Sequence, residues 1–195
     1  MVNVLINFLV AFMATRGAFL DTEEQREIYS YGLELQIYYI IHAVLLLALG
    51  FLFGRMLEVG LFLVLFGLMQ SNGGGYHADT HGRCFAIMAC GVLVFIALLS
   101  LYQDIFVLQL ISVLAGLAAV VCLAPVAHKN HPLNPDISKR MGRKAKIWAV
   151  VISLAWCLTL FLDLWEPAGG IISFTMASCA VSMGAACLKK IRLGD

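Results

Sequence analysis

The sequence predicts an all-α protein, a polytopic transmembrane helical bundle of about six spans with an N-terminal interfacial amphipathic helix. Composition is the first reason, because 62% of the 195 residues are hydrophobic and only 13% are charged. A soluble domain carries about a quarter charged residues. Long apolar runs are the second reason, since a bilayer-spanning helix needs about 20 mostly apolar residues. The third is that the sequence lacks the alternation of apolar and polar residues that is typical of membrane strands.

Net charge excludes other classes of protein. The 13 basic and 12 acidic side chains nearly cancel and leave a net charge of +1. A nucleic-acid-binding protein carries a strongly basic surface, so we expect no nucleic acid partner. Intrinsic disorder is excluded as well, because it requires low hydrophobicity. The lipid bilayer is therefore the first partner that the sequence predicts.

Six apolar runs predict the spans of the bundle, at residues 37–54, 56–69, 84–101, 105–124, 147–162 and 168–188. The second run is the shortest and carries Glu58 near its start, which favours a tilted helix or one that lines a polar cavity. The last run is rich in small residues, a composition typical of close helix packing within one chain or between two. A homodimer is therefore a candidate assembly.

The remaining segments complete a single membrane domain over residues 1–195. Residues 1–36 are predicted to form an amphipathic, interfacial segment, because their apolar start is too short to span and charged residues follow it closely. Residues 37–188 form the bundle, which includes a candidate catalytic loop at 70–84 and a basic loop at 128–146. Residues 189–195 form a tail.

Basic side chains predict the orientation of the chain, because cytoplasmic loops are enriched in Lys and Arg. The segment 128–146 holds six such residues against one acid: Lys129, Lys139, Arg140, Arg143, Lys144 and Lys146. The tail adds three more. If both segments are cytoplasmic, strict alternation of the spans places the two termini and residues 70–84 on the cytoplasmic side.

Residues 70–84, QSNGGGYHADTHGRC, hold the densest group of reactive side chains in the chain. Three successive glycines, Gly73, Gly74 and Gly75, are expected to break the second span, because glycine adopts backbone angles that other residues avoid. A loop at membrane depth is tolerated only when it is buried in protein or lines a wet cavity. We therefore expect this loop to fold back into the bundle near the cytoplasmic interface.

Cys84 is the candidate nucleophile of this segment. It lies at the predicted N-terminus of the third span, where backbone N–H groups, the helix dipole and the neighbouring Arg83 favour a thiolate. His81, three positions earlier, would contact it on a continuous helix. His77, seven positions earlier, would lie about 10 Å away along a helix axis. It can reach the thiol only if the chain bends, which Gly82 permits. Spacing alone therefore favours His81 as the base.

Two further functions are compatible with the sequence. Four side chains in the loop are zinc-competent ligands, which would suit a zinc-dependent membrane hydrolase: His77, Asp79, His81 and Cys84. Their spacing matches no standard structural zinc site, so we expect no metal and no other cofactor. A non-enzymatic membrane carrier or exporter is the second alternative, because His42 and Glu58 lie within apolar spans.

Two motifs resemble the accessory gene regulator B (AgrB) family. The first is Gly-Gly-Tyr-His-Ala at 74–78, with Cys84 seven residues after the histidine, and the second is Leu-Ala-Pro-Val-Ala-His-Lys-Asn-His-Pro-Leu at 123–133. The layout of spans and the chain length extend the resemblance over most of the sequence. Members of this family are bacterial membrane cysteine endopeptidases that mature quorum-sensing pro-peptides. The resemblance implies Cys84 as the nucleophile, His77 as the base and therefore a bent loop.

The resemblance also implies a partner, a short AgrD-like pro-peptide with an amphipathic N-terminal helix and an acidic C-terminal tail. The tail would be released by way of a thioester on Cys84, and the peptide would then close into a thiolactone or lactone. The glycines, Asp79, His81 and Arg83 would support the catalytic loop, and Asp79, Asn72 and Ser71 are candidates to orient the histidine. Substrate-binding candidates are Gln70, Lys129, Asn130, Lys139, Arg140, Arg143 and Lys144. Gln70 departs from the family, whose members commonly carry a basic residue shortly before the glycines.

Overall fold

The computed structural model describes residues 2–17, 22–76, 78, 80–126, 135–162 and 165–193, and within these it contains seven α-helices and no strand. The helices are α1 (Val2–Thr15), α2 (Glu23–Leu52), α3 (Met56–Gly73), α4 (His81–Asp104), α5 (Phe106–Leu123), α6 (Pro135–Phe161) and α7 (Ala168–Leu193). Six of them, α2 to α7, are long and apolar enough to cross a membrane. The all-α class and the number of spans are confirmed, and the protein is a multi-pass membrane protein.

Two helices, α2 and α6, begin well before the apolar runs that predict them. α2 begins at Glu23, so the polar stretch and the first span form one continuous helix with acidic residues in its first turn, where they complement the helix dipole. α6 begins at Pro135, so much of the predicted basic loop is helical. Proline is favoured in the first turn of a helix, and Asp136 follows it there. These helical turns are polar, so they lie outside the apolar runs of the sequence.

Residues 1–46 form one compact unit, which contains α1 and most of α2. α1 buries Ile6 and Val10 and exposes Phe8 and Phe12. A short helix with large exposed apolar side chains is typical of a helix that lies in a membrane interface. The predicted α1 is confirmed as a helix, and its interfacial location stays a prediction.

Residues 47–195 form the second compact unit, and α7 lies at its centre, in contact with α3, α4, α5 and α6. The middle of α7 is buried, although it carries hydroxyl groups at Ser173 and Thr175. Each hydroxyl donates to a carbonyl one turn earlier in the same helix, Ser173 to Gly169 at 2.8 Å and Thr175 to Ile171 at 2.7 Å. These small side chains therefore satisfy their own hydrogen bonds and leave room for neighbouring helices.

Helices α5 and α7 pack closely at Gly116. A Cβ atom on this residue would lie 2.6 Å from the carbonyl oxygen of Met176, which is backbone that cannot move aside. Interfaces between membrane helices favour small residues for this reason. The close helix packing that the small residues predict is present within one chain, and a homodimer stays a prediction.

A buried polar network joins α4, α5 and α6 at the end of the bundle where α5 begins. The Trp156 indole N–H donates to Oε1 of Gln109 at 2.8 Å, and the Gln109 amide donates to the carbonyl of Tyr102. The Tyr102 hydroxyl is 3.1 Å from the Ser112 hydroxyl. The polar side chains of this network are therefore paired, which avoids the cost of an unsatisfied group in an apolar medium.

Replacing Gly116 by alanine should destabilise the bundle, even though alanine is the better helix former. We expect Gly116→Ala to lose about 1–3 kcal/mol, because the added methyl group overpacks the contact with Met176. Gly91→Ala is the matched control, since no atom beyond the adjoining backbone of its own helix lies within 4 Å of its Cβ position. Thermal unfolding in detergent checks this, and equal midpoints for the two variants would contradict the assigned contact.

Candidate functional site

The glycine loop begins where α3 ends, at Gly73, within the triplet that the sequence predicts to break the helix. Gly74 has φ of +71°, in the left-handed region, and a Cβ atom there would clash with the carbonyl oxygen of Val126. The Val126 N–H donates to the carbonyl of Gly73 at 2.9 Å. The glycines therefore let the end of α3 contact the segment that follows α5, and the two sequence motifs meet in space.

The loop is then held against α7. The Tyr76 N–H donates to both the carbonyl and the hydroxyl oxygen of Ser182, each at 3.1 Å. The Gln70 amide is 3.3 Å from the same hydroxyl and 3.4 Å from the carbonyl of Tyr76. A Cβ on Gly75 would lie 2.6 Å from both Gln70 Oε1 and Ser182 Oγ. The Lys189 ammonium lies over the Tyr76 ring, 5.3 Å from its centroid. The described part of the loop up to Tyr76 therefore packs against the bundle, and its place near the cytoplasmic interface stays a prediction.

The sequence does not predict Ser182 as a residue of this site, and it predicts Gln70 only as a substrate-binding residue. The structure gives both of them a local role, since they fix the backbone of the residue that immediately precedes His77. Sequence offers one signal, a polar residue in the small, weakly polar face of α7. That signal does not say which loop the residue contacts.

Cys84 lies in the first turn of α4, as the sequence predicts. Thr80 caps this helix, because its Oγ1 accepts from the Arg83 N–H at 3.3 Å and its carbonyl accepts from the Cys84 N–H at 3.0 Å. The Cys84 thiol is free and half-buried. Side chains of a helix lean toward its N-terminus, so the sulfur lies on the side of the backbone N–H groups of the first turn.

Of the two candidate bases, the structure describes His81 and does not describe His77. His81 is the first residue of α4 and lies one turn before Cys84, so both occupy one face of a continuous helix. His77 and Asp79 lie outside the described residues. Because α4 begins only at His81, the helical rise that would separate His77 from Cys84 does not apply. Both histidines therefore stay candidates, and the assignment of the base stays a prediction.

The other two candidates to orient a histidine are turned back onto α3. The Ser71 hydroxyl donates to the carbonyl of Leu68 at 3.0 Å, and the Asn72 amide donates to the same carbonyl at 2.8 Å and to the Ser71 hydroxyl at 3.2 Å. These bonds occupy their donors at the end of α3. An orienting residue accepts from the imidazole N–H, so these occupied donors do not decide that role, which stays a prediction.

The predicted substrate-binding cations divide between two faces of α6. Lys139 and Arg143 line a groove of about 620 Å³ beside Ala124 and Pro125, and the groove also includes Lys146. Arg140 and Lys144 are exposed and lie opposite the buried face of the helix, by its period of 3.6 residues. Lys129 and Asn130 lie outside the described residues. These cations form one cluster in the sequence, but the helix places them on two different faces.

Two alternative functions, a zinc-dependent hydrolase and a membrane carrier, can be compared with the described residues. Among the described residues no three His, Cys, Asp or Glu side chains lie close enough to hold a metal ion, but two of the predicted zinc ligands fall outside those residues. Glu58, which motivates the carrier hypothesis, accepts from Arg55 at 3.0 Å at the start of α3. This carboxylate is therefore half of an ion pair.

The fold and the loop together define a class, a multi-pass helical membrane protein with a cysteine beside an ordered glycine loop. The family model for Accessory gene regulator B matches residues 6–188, and the chain belongs to this family. Membership supports a role in the agr quorum-sensing system.

Two curated relatives come from Clostridium perfringens. "Putative AgrB-like protein" of strain SM101 / Type A is 22% identical over 182 residues, which cover 88% of this chain and 84% of the relative. "Putative AgrB-like protein 2" of strain 13 / Type A is 29% identical over 139 residues, which cover 67% of this chain and 64% of that relative. No solved structure matches the chain significantly.

Removing the Ser182 hydroxyl should loosen the glycine loop. We expect Ser182→Ala to accelerate amide exchange at Tyr76 by about tenfold, because one of its two acceptors and a contact of Gln70 are lost. Ser178→Ala is the matched control, since its hydroxyl bonds only to a carbonyl of its own helix, at 2.9 Å. Hydrogen–deuterium exchange measures both variants, and unchanged exchange in Ser182→Ala would contradict the anchoring role.

Proposed function

We propose that the protein is a membrane-embedded cysteine endopeptidase that removes the C-terminal tail of an autoinducer pro-peptide and promotes cyclisation of the remainder. One observation carries the proposal: a free, half-buried thiol at the start of α4 directly follows a loop that is hydrogen-bonded to α7. Family membership supports it, because the AgrB family is generally one of peptidases. An ordered loop suits catalysis, since reacting groups must be held in a productive geometry.

The first chemical step transfers the acyl group of the pro-peptide to Cys84. His77 accepts the proton of the thiol, and the thiolate sulfur attacks the carbonyl carbon of the scissile peptide bond. The carbon–nitrogen bond then breaks, and the departing amine of the tail takes the proton back from His77. The tail leaves with a neutral amine, and the pro-peptide stays attached to Cys84 as a thioester.

The second step closes the ring. A thiol or hydroxyl group of the pro-peptide attacks the thioester carbonyl, which forms a thiolactone or lactone and returns the Cys84 thiolate for protonation. Backbone N–H groups at the start of α4 are suited to stabilise the oxyanion of both steps. A site at the edge of an apolar bundle limits competing hydrolysis by water.

The assignment of His77 as the base follows from the family motif, in which the histidine directly follows the glycines and tyrosine. The contacts of Tyr76 with Ser182 and Gln70 support this assignment, because they fix the chain one residue before His77. His81 is the alternative, and its support is the helical spacing to Cys84. One experiment separates the two.

Replacing Cys84 by alanine should reduce cleavage of a co-expressed pro-peptide to background, because no other nucleophile is assigned. His77→Ala should lower the rate by about 10²–10⁴-fold, the usual contribution of a general base, and His81→Ala by much less. Cys90→Ser is the thiol control. Immunoblots of the tagged tail and mass spectrometry of an acyl-enzyme on Cys84 provide the measurements. Normal cleavage by Cys84→Ala would refute the proposed function, and normal cleavage by His77→Ala would assign the base to His81.

The proposed partner is a short AgrD-like pro-peptide, whose amphipathic N-terminal helix lies in the plane of a bacterial cytoplasmic membrane. Both termini of the enzyme and the glycine loop face the cytoplasm in this proposal. All five cations of α6 are exposed, and two of them, Arg140 and Lys144, lie opposite its buried face. We assign the acidic tail of the pro-peptide to this pair, because it lies outside the groove and on the face of α6 that points away from the buried side.

The double variant Arg140→Gln/Lys144→Gln should process the pro-peptide about fivefold more slowly at low salt, since two exposed ion pairs are lost. The difference should shrink at high salt, where exposed charges are screened. A pro-peptide with its tail acids changed to amides is the control. This peptide should be slow with both enzymes, and an additive loss in the combined experiment would argue against direct contact.

A further inference from the structure

The groove on α6 changes from basic to apolar along its length. Three cations, Lys139, Arg143 and Lys146, lie on successive turns at one end. Three apolar side chains continue the lining within the membrane-spanning part of the helix: Ile147, Val150 and Val151. A surface that is cationic at one end and apolar at the other suits an amphipathic anion.

The opposite wall of the groove comes from the segment after α5. A Cβ on Gly142 would lie 2.8 Å from Cδ of Pro125, so glycine lets α6 pack directly against this proline. Ala124 and Pro125 therefore border the cations of α6 along one side. Pro125 is also next to Val126, whose N–H bonds to Gly73. The groove is thus built by fixed backbone contacts in addition to surface side chains.

The described residues that line the groove include three cations and no acid. Asp136, the single acid of α6, lies one turn before Lys139 and outside the lining. Lys and Arg side chains near a membrane surface attract anionic lipids, so three of them favour a negatively charged headgroup.

We propose that this groove binds an anionic phospholipid. The phosphate headgroup lies among Lys139, Arg143 and Lys146, and an acyl chain follows Ile147 and Val150 into the bilayer. An acidic peptide tail would use the cations, but it has no hydrocarbon chain to follow the apolar half of the groove, which lies on a helix long and apolar enough to cross a membrane. The site is separate from Cys84, and this inference does not depend on the proposed peptidase activity.

Native mass spectrometry of the purified full-length protein tests the proposal, with phosphatidylglycerol and phosphatidylcholine offered in parallel. The groove variant is Lys139→Gln/Arg143→Gln. The matched control is Arg140→Gln/Lys144→Gln, which removes one lysine and one arginine from the same turns of the same helix. We expect the wild type and the control to retain phosphatidylglycerol in preference to phosphatidylcholine. The groove variant should bind phosphatidylglycerol at least tenfold more weakly.

Several results would overturn the proposal. Equal losses in the two variants would show a general charge effect, and equal retention of the two lipids would show no selectivity for anions. Displacement of the lipid by inorganic phosphate would assign the site to a free anion, and displacement by an equimolar oligoglutamate peptide would assign it to an acidic peptide. If the groove variant does not fold, phosphatidylglycerol with a photoreactive acyl chain is used on the wild type. Crosslinks are expected at residues 147–151, and crosslinks confined to other helices would refute the site.

Discussion

The close approach of α5 and α7 at Gly116 is the contact on which the rest of the bundle depends. Lipid chains are as apolar as leucine, so membrane helices associate through close packing and hydrogen bonds, without a hydrophobic driving force. Gly116 allows the backbone of Met176 to come within contact distance. α7 is therefore fixed in the middle of α3 to α6. Its hydroxyl groups bond within the helix and do not compete with this packing.

The position of the glycine loop follows from the position of α7. Ser182 lies six residues after Met176, about 9 Å further along the helix axis, and it accepts from the backbone of Tyr76. A non-helical segment at membrane depth must satisfy its backbone polar groups within the protein. The carbonyl of Gly73 and the N–H groups of Gly74 and Tyr76 all have protein partners. The same bonds that make the loop tolerable in a membrane also order the chain next to His77.

Because the basic segment of α6 is helical, its cations lie on two different faces of the helix. In the sequence, the cations from Lys139 to Lys146 form a single cluster, which serves equally well as a topology signal, a lipid contact or a peptide contact. Because the helix starts at Pro135, their side chains are distributed around its axis. Lys139 and Arg143 border a groove against Pro125, whereas Arg140 and Lys144 face outward. One segment can therefore contact a lipid and a peptide on different faces.

The sequence by itself determined the helical class, the six spans, the break at the glycines and the location of Cys84 at a helix start. These features depend on composition, on the length of apolar runs and on residues a few positions apart, which a linear pattern contains. The tertiary structure decided which residues hold the loop. Tyr76 and Ser182 are 106 positions apart, and Gly73 meets Val126 only because α5 ends beside α3. Local patterns carry no information about such pairs, since their contact results from how the helices pack around α7.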